Sequence, residues 1–248
     1  MLQPRLFCPE IADGPVTLSA EESHHAITVL RIKPGEKVAL IDGVGGRATG
    51  VVERIRQRRL NVAVIRITRN PFDLRCKLTL AVAMPKAHRQ GYLIEKCTEL
   101  GVAAIWPIIA DHSVTRPRAG AVERWARRAV EAAKQSNRAW IPTIAAPRSF
   151  RESIGRIKEF DAACFADAAA PAGGITSFLE ASCDVGVMIG WVGPEGGWSD
   201  AERDSAIEAG AVAVKLSPTV LRTETAACAL CAAVAARDPA RKPDGGAA

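Results

Sequence analysis

The chain has 248 residues, 48% of them apolar, enough for one large or two ordinary globular domains. No apolar run approaches the ~18 residues of a membrane span, and the opening MLQPRLFCPE has neither the apolar core nor the cleavage site of a signal peptide, so a cytoplasmic protein is expected. Seven unpaired-looking cysteines argue against a disulfide framework, and the net charge of +6 is uneven: residues 1–75 carry 12 Lys and Arg against 8 Asp and Glu, the other 173 residues 21 against 19.

Residues 1–72 read as a β-rich module. SAEESHHAITVLRI is expected to be one helix opened by a capping box of Ser19 and Glu22. His24 and His25 are adjacent, point to different faces and make a poor metal pair. EKVALIDG and RATGVVERI flank the glycine-containing turn VGG as a hairpin, and RLNVAVIRI supplies a further β-branched strand. Within ERIRQRRLNVAVIRITR, Arg54, Arg56, Arg58, Arg59, Arg66 and Arg69 fall in sixteen positions with strand-like alternation, so several share one face. That face is read either as a nucleic-acid contact or as an ordinary solvated one.

NPFDLRC, 70–76, reads as a linker, after which strands and helices alternate. KLTLAVAM, VAAIWPII, FDAACFA, DVGVMIGWVG and AVAVKL are the strands. QGYLIEKCTELG ends on Gly101, AVERWARRAVEAAKQSNR is a long amphipathic helix, SDAERDSAIEAG has a capping box of Ser199 and Glu202 and ends on Gly210, and TETAACALCAAVAA is buried and small-residue rich. Cys228 and Cys231 lie in that last run and read as two positions on one buried helix face, since no second pair completes a metal site. The pattern implies a parallel sheet covered by helices, with ligands at the carboxyl ends of the strands. Residues 238–248 read as a flexible tail.

Two loops leave such strand ends: GPEGGW, 193–198, and LSPTVLRTET, 216–225. Neither matches a dinucleotide or Walker fingerprint, no lysine is placed to meet a phosphate, and Glu195 would repel one, so a neutral or cationic ligand gripped by backbone groups fits better. Leu216, Pro218, Val220 and Leu221 suit one face of a purine. S-adenosylmethionine has the purine and the positive centre; a merely structural tight turn is the other reading.

IEKCTELGV, GPEGGWSDAE and LRTETAA, in this order, resemble the RsmE family of 16S rRNA uracil-N3 methyltransferases in the SPOUT superfamily, and RLFCPE and HHAITVLRIKPGE resemble its PUA-like RNA-binding domain. The resemblance spans about residues 5–235. It implies an α/β trefoil-knot methyltransferase domain over 76–237, a small PUA-like β-barrel over 1–72, bound S-adenosylmethionine, no metal, a homodimer, and 16S rRNA in the small ribosomal subunit as substrate. The implied cofactor contacts are Val192, Gly193, Pro194, Glu195, Gly196, Gly197, Leu216, Ser217, Val220, Leu221, Arg222, Thr225 and Ala226. Thr219 stands where relatives commonly carry arginine, and His88 where an acidic or small residue is frequent.

N3 methylation requires loss of an imide proton from an unpaired base and stabilisation of charge on the uracil oxygens. Arg222 is the candidate for that stabilisation, or a structural ion-pair partner; Glu224 is a base or a helix-start carboxylate. Arg138 meets RNA or caps a helix. The expected RNA contacts are Arg5, Arg31, Arg54, Arg56, Arg58, Arg59, Lys86, Arg89 and Arg138. A non-catalytic RNA-binding protein with a degenerate knot, or a SPOUT ribose 2′-O-methyltransferase, are the other readings.

Overall fold

The computed structural model describes residues 3–69, 74–170 and 174–237, and the chain divides into two compact units: residues 1–73 with 130–141, and residues 74–129 with 142–248. Residues 70–73 of the expected linker and the expected tail 238–248 lie outside the described residues.

The first unit contains β1 (Arg5–Phe7), β2 (Pro15–Thr17), α1 (Ala20–His24), β3 (Lys37–Ile41), β4 (Gly46–Arg56) and β5 (Arg59–Arg69). They form a five-stranded sheet in the order β1-β3-β4-β5-β2, in which β1 and β3 are parallel and the other neighbours antiparallel. Period-2 alternation turns Leu6, Val38, Leu40, Ala48, Val52, Leu60 and Val62 inward to one core with Leu18, Ala26 and Ile32. Each large aliphatic buried there contributes about 1.5–3 kcal/mol.

The single expected helix at 19–32 is instead a short α-helix followed by one π-helical segment, His25–Val29. Its capping box is half present. Ser19 Oγ accepts the Glu22 backbone N–H at 3.1 Å, but the Glu22 carboxylate does not return to the cap. It is buried, and accepts hydrogen bonds from the Phe7 backbone N–H at 3.1 Å and from Lys134 Nζ at 2.9 and 3.1 Å. A buried carboxylate gains more from a cation than from a solvent-side cap, so the long-range partner wins.

At the first hairpin, Asp42 Oδ1 accepts the N–H groups of Val44 and Gly46 at 2.8 and 2.7 Å, while Gly43 and Gly45 take the left-handed φ values of +83° and +98° that the turn demands. The second hairpin closes on the pair Arg56 and Arg59 with Gln57 and Arg58 at φ +49° and +60°. That is the two-residue turn with both central residues left-handed, made here without glycine or asparagine. Register shifts between Thr49 and Gly50 and between Val52 and Arg54 insert bulges, so Arg54, Arg56 and Arg59 come to share the outer face near the tip, with Arg66 on the same face further along. Arg69, paired with Gly46, instead reaches Asp42 at 3.6 Å.

The second unit contains β6 (Lys77–Ala83), α2 (Ala87–Glu99), β7 (Ala104–Ile109), α3 (Ala121–Gln135), β8 (Thr143–Ile144), β9 (Arg148–Ser149), α4 (Phe150–Ile154), β10 (Ala162–Ala166), α5 (Gly174–Ala181), β11 (Val187–Val192), α6 (Asp200–Glu208), β12 (Val212–Val214) and α7 (Thr223–Arg237). Residues of α3 from Val130 onward cluster with the first unit. The sheet order is β12-β10-β11-β6-β7-β8, with β9 also on β7, and every pairing is parallel. Both faces are covered, as a parallel sheet requires: α4 packs with α6 and β7, while α7 packs on α2, α5, β6 and β11. Gly190 permits the close approach of α7, because a Cβ there would stand 2.5 Å from a Leu230 methyl carbon. The expected Ser199 and Glu202 capping box is complete, and Gly101 and Gly210 end their helices at φ +95° and +97°. The short β8, β9, α4 and α5 are elements the sequence pattern did not indicate.

Candidate functional site

A cavity of about 230 Å³ opens where the chain leaves three neighbouring parallel strands. Its walls are Ala166–Ala169 at the end of β10, Val192–Glu195, Gly197 and Trp198 at the end of β11, Lys215–Ser217 and Thr219–Leu221 after β12, Arg203 of α6, and Thr223 and Ala226 from the start of α7. Strand order produces this: β10 lies between β12 and β11, so their carboxyl ends sit side by side.

Ten expected contacts line it: Val192, Gly193, Pro194, Glu195, Gly197, Leu216, Ser217, Val220, Leu221 and Ala226. Gly196, Arg222 and Thr225 do not. Gly196 is held for a different reason from the one the sequence suggests: a Cβ there would lie 2.9 Å from His112 Cβ, so packing rather than ligand approach excludes a side chain. At Gly193 a Cβ would meet the Trp198 indole at 2.9 Å, and Gly197 has open space but φ +72°.

The glycine loop is fixed from beneath. His112 Nδ1 lies 3.1 and 3.2 Å from the carbonyl oxygens of Gly196 and Gly197, and since both accept, Nδ1 carries the proton. Glu202 accepts the Asp111 N–H at 2.9 Å, and Ser199 Oγ donates to Asp111 Oδ2 at 2.6 Å. Trp198, buried against Phe150 and Phe165, donates its indole N–H to Ala166 O at 2.9 Å. Thr223 Oγ1 donates to Gly193 O at 3.1 Å and so ties the second loop to the first. In that second loop Ser217 Oγ accepts the Thr219 N–H at 3.2 Å.

Sequence reading missed Ala166–Ala169, Trp198, Arg203, Lys215, Thr219 and Thr223. Asp167 and Arg203 form an ion pair in the wall, with Arg203 Nε donating to Asp167 Oδ2 at 2.8 Å and Nη1 to Asp200 at 3.1 Å. The Asp167 carboxylate raises the guanidinium's already high pKa, so Arg203 stays charged. The position of Asp167 directly after an expected strand was the signal available. The rest of the lining combines Glu195, the hydroxyl residues Ser217, Thr219 and Thr223, and Lys215, a lysine the sequence pattern did not place here, with apolar side chains and main chain that suit a heterocycle.

Arg222 is exposed, one residue from the cavity wall. Glu224 is buried and faces α2, where Arg89 Nη1 pairs with its Oε1 at 3.1 Å; its Oε2 has no hydrogen-bond partner. Lys86, Arg31, Arg54, Arg56, Arg58 and Arg59 are exposed and Arg5 is partly so. Arg138 is only 6% exposed, which gives its guanidinium little access to a phosphate. Among the described residues no helix is long and apolar enough to cross a membrane, and no group of three or more His, Cys, Asp or Glu is arranged to hold a metal ion.

Comparison with known proteins places this geometry. The RNA methyltransferase domain family matches residues 73–235 and the RNA methyltransferase PUA domain family residues 18–65. A ribosomal RNA small subunit methyltransferase E of Mycobacterium bovis is 37% identical over 223 residues, covering 88% of this chain and 84% of the relative; that of Bacillus subtilis is 31% identical, covering 88% of each. The crystal structure of the Neisseria gonorrhoeae ribosomal RNA small subunit methyltransferase E bound to S-adenosyl methionine superposes with a TM-score of 0.83 at 30% identity, over 94% of this chain and 96% of that one. The SPOUT methyltransferase fold and PUA-like domain expected from the sequence are thereby borne out, and the chain belongs to the ribosomal RNA small subunit methyltransferase E family.

Proposed function

We propose that this chain transfers a methyl group from S-adenosylmethionine to N3 of a specific uridine in 16S rRNA of the small ribosomal subunit, as a cytoplasmic homodimer. The observation that carries the reading is the cavity formed by the 193–198 and 216–221 loops in a member of a methyltransferase family. We take residues 1–72 as the RNA-binding domain and 76–237 as the knotted catalytic domain.

The residues present fit the cofactor. Leu216, Val220 and Leu221 offer an apolar wall to adenine, and the main chain of both loops offers hydrogen-bonding groups within reach. Glu195 places negative charge on the cavity wall, which suits a sulfonium. S-adenosylmethionine supplies the electrophilic methyl group. The chain's own work is to orient it, to hold an unpaired uracil beside it, and to stabilise the charge that appears on the uracil oxygens as the imide proton leaves. Arg222, exposed at the cavity edge, suits that last role. Glu224, pinned by Arg89 in the first turn of α7, suits a positioning role better than that of a base.

Nucleoside mass spectrometry of 16S rRNA from cells with and without the protein tests the reading. 3-Methyluridine that depends on the protein is the expected result; a 2′-O-methyl nucleoside in its place moves the chemistry to the ribose, and no change in any nucleoside refutes the proposal. Gly193→Ala, which drives a methyl group into the Trp198 indole, is expected to weaken S-adenosylmethionine binding at least tenfold by calorimetry. An unchanged affinity would mean that the loop moves aside freely.

A further inference from the structure

A second recess, of about 320 Å³, lies wholly within the first unit on the outer face of its sheet, away from that unit's core. The strand registers explain it. One row across four strands reads Arg5, Ala39, Thr49, Arg66, and the next reads Phe7, Ile41, Arg47, Thr68. In the first row two short side chains in the centre are flanked by an arginine at either end. With strands about 4.8 Å apart, the Cα atoms of Arg5 and Arg66 stand roughly 14 Å from each other. The floor is therefore low and the rim basic.

Two of the three arginines are held in place before any ligand arrives. Arg5 Nη1 donates to the Lys134 carbonyl at 3.2 Å, and Arg47 donates from Nη1 to Asn137 Oδ1 at 3.1 Å and from Nη2 to the Asn137 carbonyl at 2.7 Å. Both anchors belong to the C-terminal end of α3. There Asn137 is left-handed at φ +58° and the Arg138 N–H closes back on Ala133 O at 3.0 Å. Carbonyls that would otherwise give this helix end a negative potential are thus occupied by guanidinium donors, and the charge left over is positive. Each guanidinium keeps further N–H donors, since five are available and one or two are used. Among the described residues no carboxylate lines the recess; its polar members are Arg5, Arg47, Arg66, Thr49, Thr68 and Asn137.

We propose that this recess seats the sugar–phosphate backbone of an RNA strand, with Arg5, Arg47 and Arg66 on phosphate oxygens and Thr49, Thr68 and Asn137 available to ribose hydroxyls. The proposal rests on the rRNA reading above and adds a place to it. Pre-oriented arginines lose little side-chain freedom on binding, and hydroxyl and amide groups beside them meet the 2′-hydroxyl that distinguishes RNA from DNA. The arginines near the hairpin tip, Arg54, Arg56 and Arg59, lie on the same outer face and extend the basic track along β4 and β5.

Two exposed positions that anchor nothing in the fold test it: Thr49→Glu, which puts a carboxylate on the floor, and Arg66→Ala. Binding to 16S rRNA is measured across a salt series, alongside S-adenosylmethionine affinity and thermal unfolding. The expected result is at least tenfold weaker RNA binding for Thr49→Glu, and for Arg66→Ala a several-fold loss with the log–log salt slope reduced by about 1, while cofactor affinity and melting stay at parent values. Variants that bind with the parent's affinity and slope, when the parent both binds and methylates rRNA, overturn the recess and leave the methyltransferase reading intact. A parent that does not bind rRNA overturns both.

Discussion

Trp198→Ala is expected to destabilise the C-terminal unit by about 3–5 kcal/mol and to abolish measurable affinity for the proposed cofactor. The indole is 4% exposed, with its ring centroid 4.9 Å from Phe150 and 6.4 Å from Phe165. It also lies under Gly193 and fixes Ala166 through its N–H. Truncation removes the transfer free energy of a large aromatic, leaves a cavity beneath the glycine loop, and frees the segment after β10 from the segment after β11. Trp198→Phe retains most of the packing but not the hydrogen bond, and is expected to keep the fold while losing part of the affinity. Chemical denaturation and calorimetry on the two variants check this. A Trp198→Ala protein of near-parent stability would show that the indole is not a support for the site.

Lys134→Ala carries the second large effect, an expected loss of about 3–5 kcal/mol, because Glu22 would be left as a buried carboxylate without its cation. The two side chains are 3% and 8% exposed, and Glu131 at 2.7 Å is the lysine's other partner. The companion Glu22→Leu with Lys134→Met removes both charges and is expected to recover most of the stability, since an apolar pair of similar volume avoids desolvation. Denaturant unfolding of the single and double variants closes the cycle. A single variant costing under about 1 kcal/mol would mean that water reaches Glu22 and substitutes for the ammonium.

The strands and the cofactor-loop candidates were legible because their signals are local. Glycines, a proline and a capping box mark 193–202, and β-branched runs mark the strands. Asp167–Ala169 were not, since a lone carboxylate followed by alanines matches no motif; the segment acquires a place only because β10 settles between β12 and β11. The fate of Glu22 shows the opposite failure. Its spacing from Ser19 is a genuine local signal, half of which forms, yet the carboxylate is taken by a lysine 112 residues later in the chain. Glu224 was narrowed to two roles by sequence, and its ion pair with Arg89 on α2 is a contact no local pattern announces. The basic character of 54–69 was visible, but which arginines share a face depends on two bulges that a regular alternation does not anticipate.

That residues 130–141 belong with the first 73 bears on how the protein is made. The N-terminal sheet can begin to pair as soon as its strands leave the ribosome, but the partners of Glu22, Arg5 and Arg47 are encoded almost seventy residues further on. At a synthesis rate of roughly 5–20 residues per second, this interval is on the order of 3–14 s. During it a carboxylate destined for burial has no counter-charge, and the basic face has no helix end to order it. A half-made chain therefore displays mobile arginines to the translating machinery, and the finished surface exists only once residue 141 has joined it.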